Sequence, residues 1–173
     1  MTESITDRMI RVDQAGEYGA TRIYAGQLAV MGNRAPHSGE IAAMARAEAD
    51  HRARFDALMI QRGVRPTALQ PLWSIAGFAL GAATALIGPE AAMACTAAVE
   101  EEIDKHYSDQ LDHLEAAGDD PELTAMISEF RDDEREHHAA ALAAGAERAP
   151  GYPLLSGAIR LGCRVAIRLA ERI

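Results

Sequence analysis

Apolar residues recur every three or four positions through most of the chain, the period of helices that bury one face. On a helical wheel, Ile41, Met44, His51, Phe55 and Met59 lie within about 60° of Glu48. Leu123, Ile127, Phe130, His137 and Ala141 lie equally close to Glu134. No two-residue alternation bounded by hairpin signals stands out. Gly and Pro interrupt the helical pattern at Gly32 to Ser38, Gly63 to Pro71, Gly88-Pro89, Gly118 to Pro121 and Gly145 to Pro153. These breaks predict six helices, roughly 5–31, 39–62, 72–87, 90–117, 121–144 and 153–172. Ser38 reads as a helix start, and so does Asp120, a cap followed by proline at the first helical position.

Four of the helices are long and amphipathic, and within them a weak repeat appears. A helix with one inward glutamate, Glu17, is followed by a helix carrying Glu48-Ala-Asp-His51. Then Glu100 is followed by Glu134-Arg-Glu-His137. Residues three apart share a helix face, so each Glu-x-x-His presents both groups on one side. A single such pair is usually a solvent-exposed one. Both pairs here sit in the middle of an apolar stripe, where an unpartnered carboxylate is costly. Glu17 shares its stripe with Tyr24, Leu28 and Met31. Among the consecutive glutamates 100 to 102, Glu100 lies about 60° from Ile103, whereas Glu101 and Glu102 fall about 160° and 100° away. Glu100 is therefore the inward one.

Four helices thus each send one carboxylate inward, and two add a histidine. This is the ligand set of di-iron carboxylate bundles, and it predicts an all-α, ferritin-like four-helix bundle. Two extra helices accompany it, one uncharged and apolar, the other basic and amphipathic at the C-terminus. The whole chain, 1–173, reads as a single such domain. The expected metal ligands are Glu17, Glu48, His51, Glu100, Glu134 and His137. Four carboxylates bring four negative charges, which two divalent cations balance. Carboxylate and imidazole suit iron, with manganese the competitor. Asp13, Gln14, Tyr24, His106, Tyr107 and His138 are further inward polar groups, and His106 and Tyr107 are the foremost candidates for orienting the ligands. The competing reading of the whole set is a bundle with accidental inward charges.

Composition narrows the function. The net charge of −9 disfavours nucleic acid as a partner. The chain is 49 % hydrophobic but only 5 % aromatic, in keeping with a helical core. Cys95 and Cys163 lack metal-type spacing and read as core filler in a reducing compartment. Met1 to Ser4 show neither a basic nor an apolar leader, so no signal or transit peptide is expected.

Several motifs together resemble the demethoxyubiquinone hydroxylases, from about residue 8 to the C-terminus. They are Asp13-Gln-Ala-Gly-Glu17-Tyr-Gly-Ala20, Glu48-Ala-Asp-His51, Gly77-Phe-Ala-Leu-Gly81, Met93-Ala-Cys-Thr96 through Val99-Glu-Glu101, Phe130 to His138, and Gly162-Cys-Arg-Val-Ala166. Lys105 stands where some members have a histidine. The resemblance implies a di-iron monooxygenase of ubiquinone biosynthesis with the same six ligands. It implies two iron ions as cofactor, O2 as co-substrate and a polyprenyl quinol whose demethoxylated ring is hydroxylated. The electron donor is left open, and a homo-oligomer or a lipid-binding accessory protein is among the partners to consider. Rival readings are another ferritin-like di-metal oxidase or peroxidase, and a non-catalytic quinone- or lipid-binding bundle with structural metals.

The segment from Leu72 to Gly88 carries no charged residue. As a helix it reaches roughly 25 Å, short of the ~30 Å hydrocarbon core. The expectation is a peripheral protein on the cytoplasmic face of the cell or inner membrane. Trp73 would stand at the interface. Gly77 and Gly81 would allow close packing, with another chain as one partner. Arg160, Arg164, Arg168 and Arg172 would meet anionic lipid. The alternative is a buried core helix and a solvated arginine face.

Overall fold

The computed structural model describes residues 4–118 and 120–172. The N-terminal residues 1–3, on which the leader reading rests, and Asp119 in the fourth break lie outside the described residues. Six α-helices follow one another: α1 (Ile5–Met31), α2 (Ser38–Arg62), α3 (Gln70–Ile87), α4 (Pro89–Ala117), α5 (Pro121–Ala143) and α6 (Tyr152–Ala170). A short 3-10 turn, Ala146–Arg148, precedes α6. Among the described residues there is no strand, and the architecture is the all-α ferritin-like bundle.

The helix ends have local causes. Ser4 and Asp7 form a capping box at α1, the Ser4 hydroxyl accepting from the Asp7 N–H at 3.0 Å and Asp7 accepting from the Ser4 N–H at 3.3 Å. Asp120 caps α5 by accepting from the Leu123 N–H at 3.1 Å, with Pro121 next, and also receives Arg62 of α2. Helix α2 starts at Ser38 as expected, but Ser38 is its first residue and not its cap. His37, in the left-handed region at φ 65°, precedes the helix, and the Ser38 hydroxyl donates back to the Ala35 carbonyl at 2.7 Å instead of capping.

Helices α1, α2, α4 and α5 make the bundle, with α1 against α2 and α4 against α5. Along the bundle the core divides in two. One half is built on small residues, among them Ala20, Ala91, Ala92, Ala94, Ala97 and Ala141, with Tyr24, Ile41 and Met93. The other half holds large ones: Ile10, Phe55, Leu111, Leu114, Leu123, Ile127 and Phe130. In all four helices the inward glutamate falls between residues of one half and residues of the other, so the carboxylates form a layer with apolar material on both sides.

Helix α3 lies on α1, and α6 lies on α4. The α1–α3 contact is backbone to backbone. A Cβ at Gly26 would collide with the Phe78 carbonyl, and one at Gly81 with the Ile23 carbonyl. The small face of α3 therefore packs within the chain. Its other flank is outward: Ile75 is 72 % exposed and Leu86 75 %. Helix α3 is thus neither a buried core helix nor evenly covered.

Candidate metal centre

Glu17, Glu48, Glu100 and Glu134 are each 0 % exposed, and their carboxylates meet in one layer. Two overlapping groups have ligand atoms within 4.8 Å of one another: Glu17, Glu48, His51 and Glu134, and Glu48, Glu100, Glu134 and His137. Glu48 and Glu134 belong to both. All six residues singled out from the sequence are therefore in the two groups, while Glu101 and Glu102 are in neither.

Both imidazoles turn Nδ1 inward. His51 Nδ1 stands 3.5 Å from Glu134 Oε1 and 3.7 Å from Glu17 Oε2. His137 Nδ1 stands 3.1 Å from Glu48 Oε1 and 3.6 Å from Glu134 Oε2. The electrostatics are those of crowded, dry carboxylates. Burial pushes the Glu48 and Glu100 carboxyls well up, and the neighbouring Glu134 pushes them further. Burial also raises Glu134, against the pull of His51. Burial acts against a charge on His51, but the nearby Glu134 and Glu17 carboxylates outweigh it and lift it to about 10.

Several buried donor and acceptor atoms here have no hydrogen-bond partner: both oxygens of Glu48 and of Glu134, Oε2 of Glu17 and of Glu100, and Nδ1 of both histidines. Buried polar atoms are rarely left so. Here eight of them point into one small volume, and as carboxylate and imidazole they are the donors a pair of hard-to-borderline divalent cations takes. The residues fit a two-metal centre.

The surrounding polar groups divide by what they touch. The Tyr24 phenol donates to Glu100 from α1, and the Tyr107 phenol donates to Glu17 from α4. Burial and the adjacent carboxylates push both phenols well above their ordinary range, so both remain donors. His106 and Gln110 reach Asp13, at 3.1 and 2.8 Å. Gln14 donates to Asp56 and His138 pairs with the Ala97 carbonyl, so neither is bonded to the cluster. Asp133, which the wheel left unmarked, lies 3.0 Å from His51 Nε2.

Beside the layer, α1, α3, α4 and α6 line an open apolar cavity of about 510 Å³. Ile23, Trp73, Leu80, Val99, Ile103 and Ile159 line it, with Gly16, Gly19 and Gly162 leaving room. The basic helix is not free for lipid along its length. Arg160 pairs with Glu101, and Arg164 grips Glu102 through two bonds of 2.8 Å. Among the described residues, Arg168 and Arg172 of the stripe make no ion pair with α4.

A helical bundle with this carboxylate–imidazole layer has the fold and the donor set of the ferritin-like di-metal carboxylate proteins. The chain matches the family model described as "Ubiquinone biosynthesis protein COQ7" over residues 4–170. It is 54 % identical over 171 residues to the 3-demethoxyubiquinol 3-hydroxylase of Rhodospirillum rubrum, which covers 98 % of this chain and 79 % of that protein. It is 52 % identical over 177 residues to the human NADPH-dependent 3-demethoxyubiquinone 3-hydroxylase, covering 100 % of this chain and 80 % of that one. The 5-demethoxyubiquinone hydroxylase of Saccharomyces cerevisiae is 46 % identical over 181 residues, covering 96 % and 78 %. The chain belongs to the COQ7 family of ubiquinone biosynthesis proteins.

Proposed function

We propose that this protein hydroxylates the ring of a demethoxylated polyprenyl benzoquinol in ubiquinone biosynthesis, at a two-iron centre held by Glu17, Glu48, His51, Glu100, Glu134 and His137. The observation that carries the reading is the set of eight unpartnered buried donor atoms beside a large apolar cavity. Glu17, His51, Glu48 and Glu134 would hold one ion. Glu100, His137 and the same Glu48 and Glu134 would hold the other. When bound, ferrous iron supplies the electrons and open coordination positions that O2 activation needs. In the net reaction one oxygen atom enters the ring as a hydroxyl and the other leaves as water. The two electrons come from a reductant, for which we assign NADPH because the human relative bears it in its name.

The chain's own residues supply placement. Tyr24 and Tyr107 hold one oxygen of Glu100 and of Glu17, leaving the other oxygen of each turned inward. The cavity walls exclude water and give the prenyl chain an apolar path. The two helices that line the cavity from outside the bundle, α3 and α6, also carry apolar residues turned away from it, among them Leu161, 62 % exposed, and Val165, 47 % exposed. We place them against one membrane leaflet, where the quinol resides, on the cytoplasmic face of the cell or inner membrane.

The test is turnover of iron-loaded protein with a short-chain demethoxyquinol, NADPH and 18O2, read by mass spectrometry. The expected product carries one 18O atom in the ring. Tight iron binding without product would favour structural metals. Flotation on anionic liposomes tests the docking, and protein that stays in the lipid-free fraction at low salt would overturn it.

A further inference from the structure

The two halves of the centre are supported unequally. His51 is held on two sides. Its Nε2 lies 3.0 Å from Asp133 Oδ2, and its ring stacks on Phe130 with centroids 3.9 Å apart. Phe130 is itself covered by the Arg54 guanidinium at 4.6 Å, and Arg54 is pinned by two hydrogen bonds to Glu129. His137 has none of this. Among the described residues no group accepts from its Nε2, no aromatic ring stacks on it, and its side chain is 13 % exposed against 5 % for His51. The repeat makes the asymmetry plain. Asp133 immediately precedes Glu134 of one Glu-x-x-His, and Ala47 occupies the same place before Glu48.

We infer that the two metal positions are unequal, and that Asp133 is the positioning residue that makes the His51 side the tighter. The inference rests on the two-metal reading above. When His51 ligates through Nδ1, which is turned to the carboxylates, the proton left on the ring sits on Nε2, where Asp133 accepts it. That bond selects the tautomer able to ligate, fixes the ring plane and makes Nδ1 a better donor. The Phe130 stack removes the remaining rotation. His137 must be ordered at the moment it binds, so the ion on its side is bound more weakly and lost first.

Anaerobic calorimetric titration of metal-free protein with ferrous iron tests this. Wild-type protein should fill in two resolved steps, with His137→Ala abolishing the weaker and His51→Ala the tighter. Asp133→Ala should weaken the tighter step about 10–100-fold and leave the weaker one alone. Asp133→Asn, which keeps a neutral acceptor of the same shape, should fall between and also guards against misfolding. Two equivalent steps in wild type, or an equal loss in both steps on Asp133→Ala, would overturn the inference while leaving the two-metal reading intact. No iron binding by wild type would sink that reading itself.

Discussion

The phenol of Tyr107 on α4 donates to Glu17 on α1, and the phenol of Tyr24 on α1 donates to Glu100 on α4, so each of these helices orients the other's carboxylate. This exchange ties the pair together at the level of the centre. Replacing either tyrosine by phenylalanine leaves a buried acceptor without its donor. Chelated Tyr24→Phe and Tyr107→Phe proteins should each be less stable than wild type by about 1–3 kcal/mol. Denaturant melts measure it, and unchanged midpoints in both would deny the phenols this role.

The titration of the layer sets a pH dependence for the metal-free protein. The Glu48, Glu100 and Glu134 carboxyls lie above their ordinary value of 4.5, through burial first. His51 is raised from 6.5 to about 10 by Glu134 and Glu17, against burial. Groups raised in the fold stabilise it while protonated. The glutamate contribution is full below 4.5 and declines above it. The His51 contribution is full below 6.5 and is lost as pH rises through about 10. Metal-free protein should therefore melt at falling temperatures from about pH 5 to about pH 9. Iron displaces these protons, so loading should raise the melting temperature most at the alkaline end. A chelated protein that grows more stable across this range would contradict the crowded-carboxylate account.

The α1–α3 seam is intolerant of a single methyl. Gly81→Ala places a carbon against the Ile23 carbonyl, a backbone group with no rotamer to yield, and should cost about 1–3 kcal/mol. Gly16→Ala meets nothing within 4 Å and should be neutral or stabilising. Thermal melts of the two variants side by side decide the matter.

Filling the cavity should separate binding from folding. A Cβ at Gly162 meets nothing within 4 Å, and the residue lines the cavity. Gly162→Leu should keep the wild-type melting temperature and raise KM for a long-chain quinol several-fold. Unchanged KM would place the substrate elsewhere.

Helix α6 is fastened to α4 by charge. Glu102 is 5 % exposed and receives Arg164, with Lys105 at 3.3 Å. Glu102→Ala and Arg164→Ala should each speed amide exchange over Tyr152–Ala170, and the double variant should add little to either.

The parts of the molecule legible in the sequence are those that depend on one helix at a time. Gly and Pro marked the breaks because they act locally. The angular position of Glu100 separated it from Glu101 and Glu102 because facing is a property of a single helix. What depends on two helices stayed hidden. Asp133 lies about 100° from Glu134 on the wheel and looks like a solvated charge until α2 brings His51 to it. Arg160 and Arg164 form a basic stripe on α6 alone, and only the placement of α6 along α4 shows Glu101 and Glu102 meeting them. Likewise, the glycines of α3 announced a close partner without saying that it is α1.

The backbone contact between α1 and α3 has a mechanical consequence. Gly26, Gly77 and Gly81 leave no layer of side chains between the two helices to absorb a displacement. Glu17 lies nine residues before Gly26 on the same rod, about 13 Å at a helical rise of 1.5 Å. A push on the outward flank of α3, at Ile75 or Phe78, would therefore bear directly on the backbone of the helix that carries Glu17.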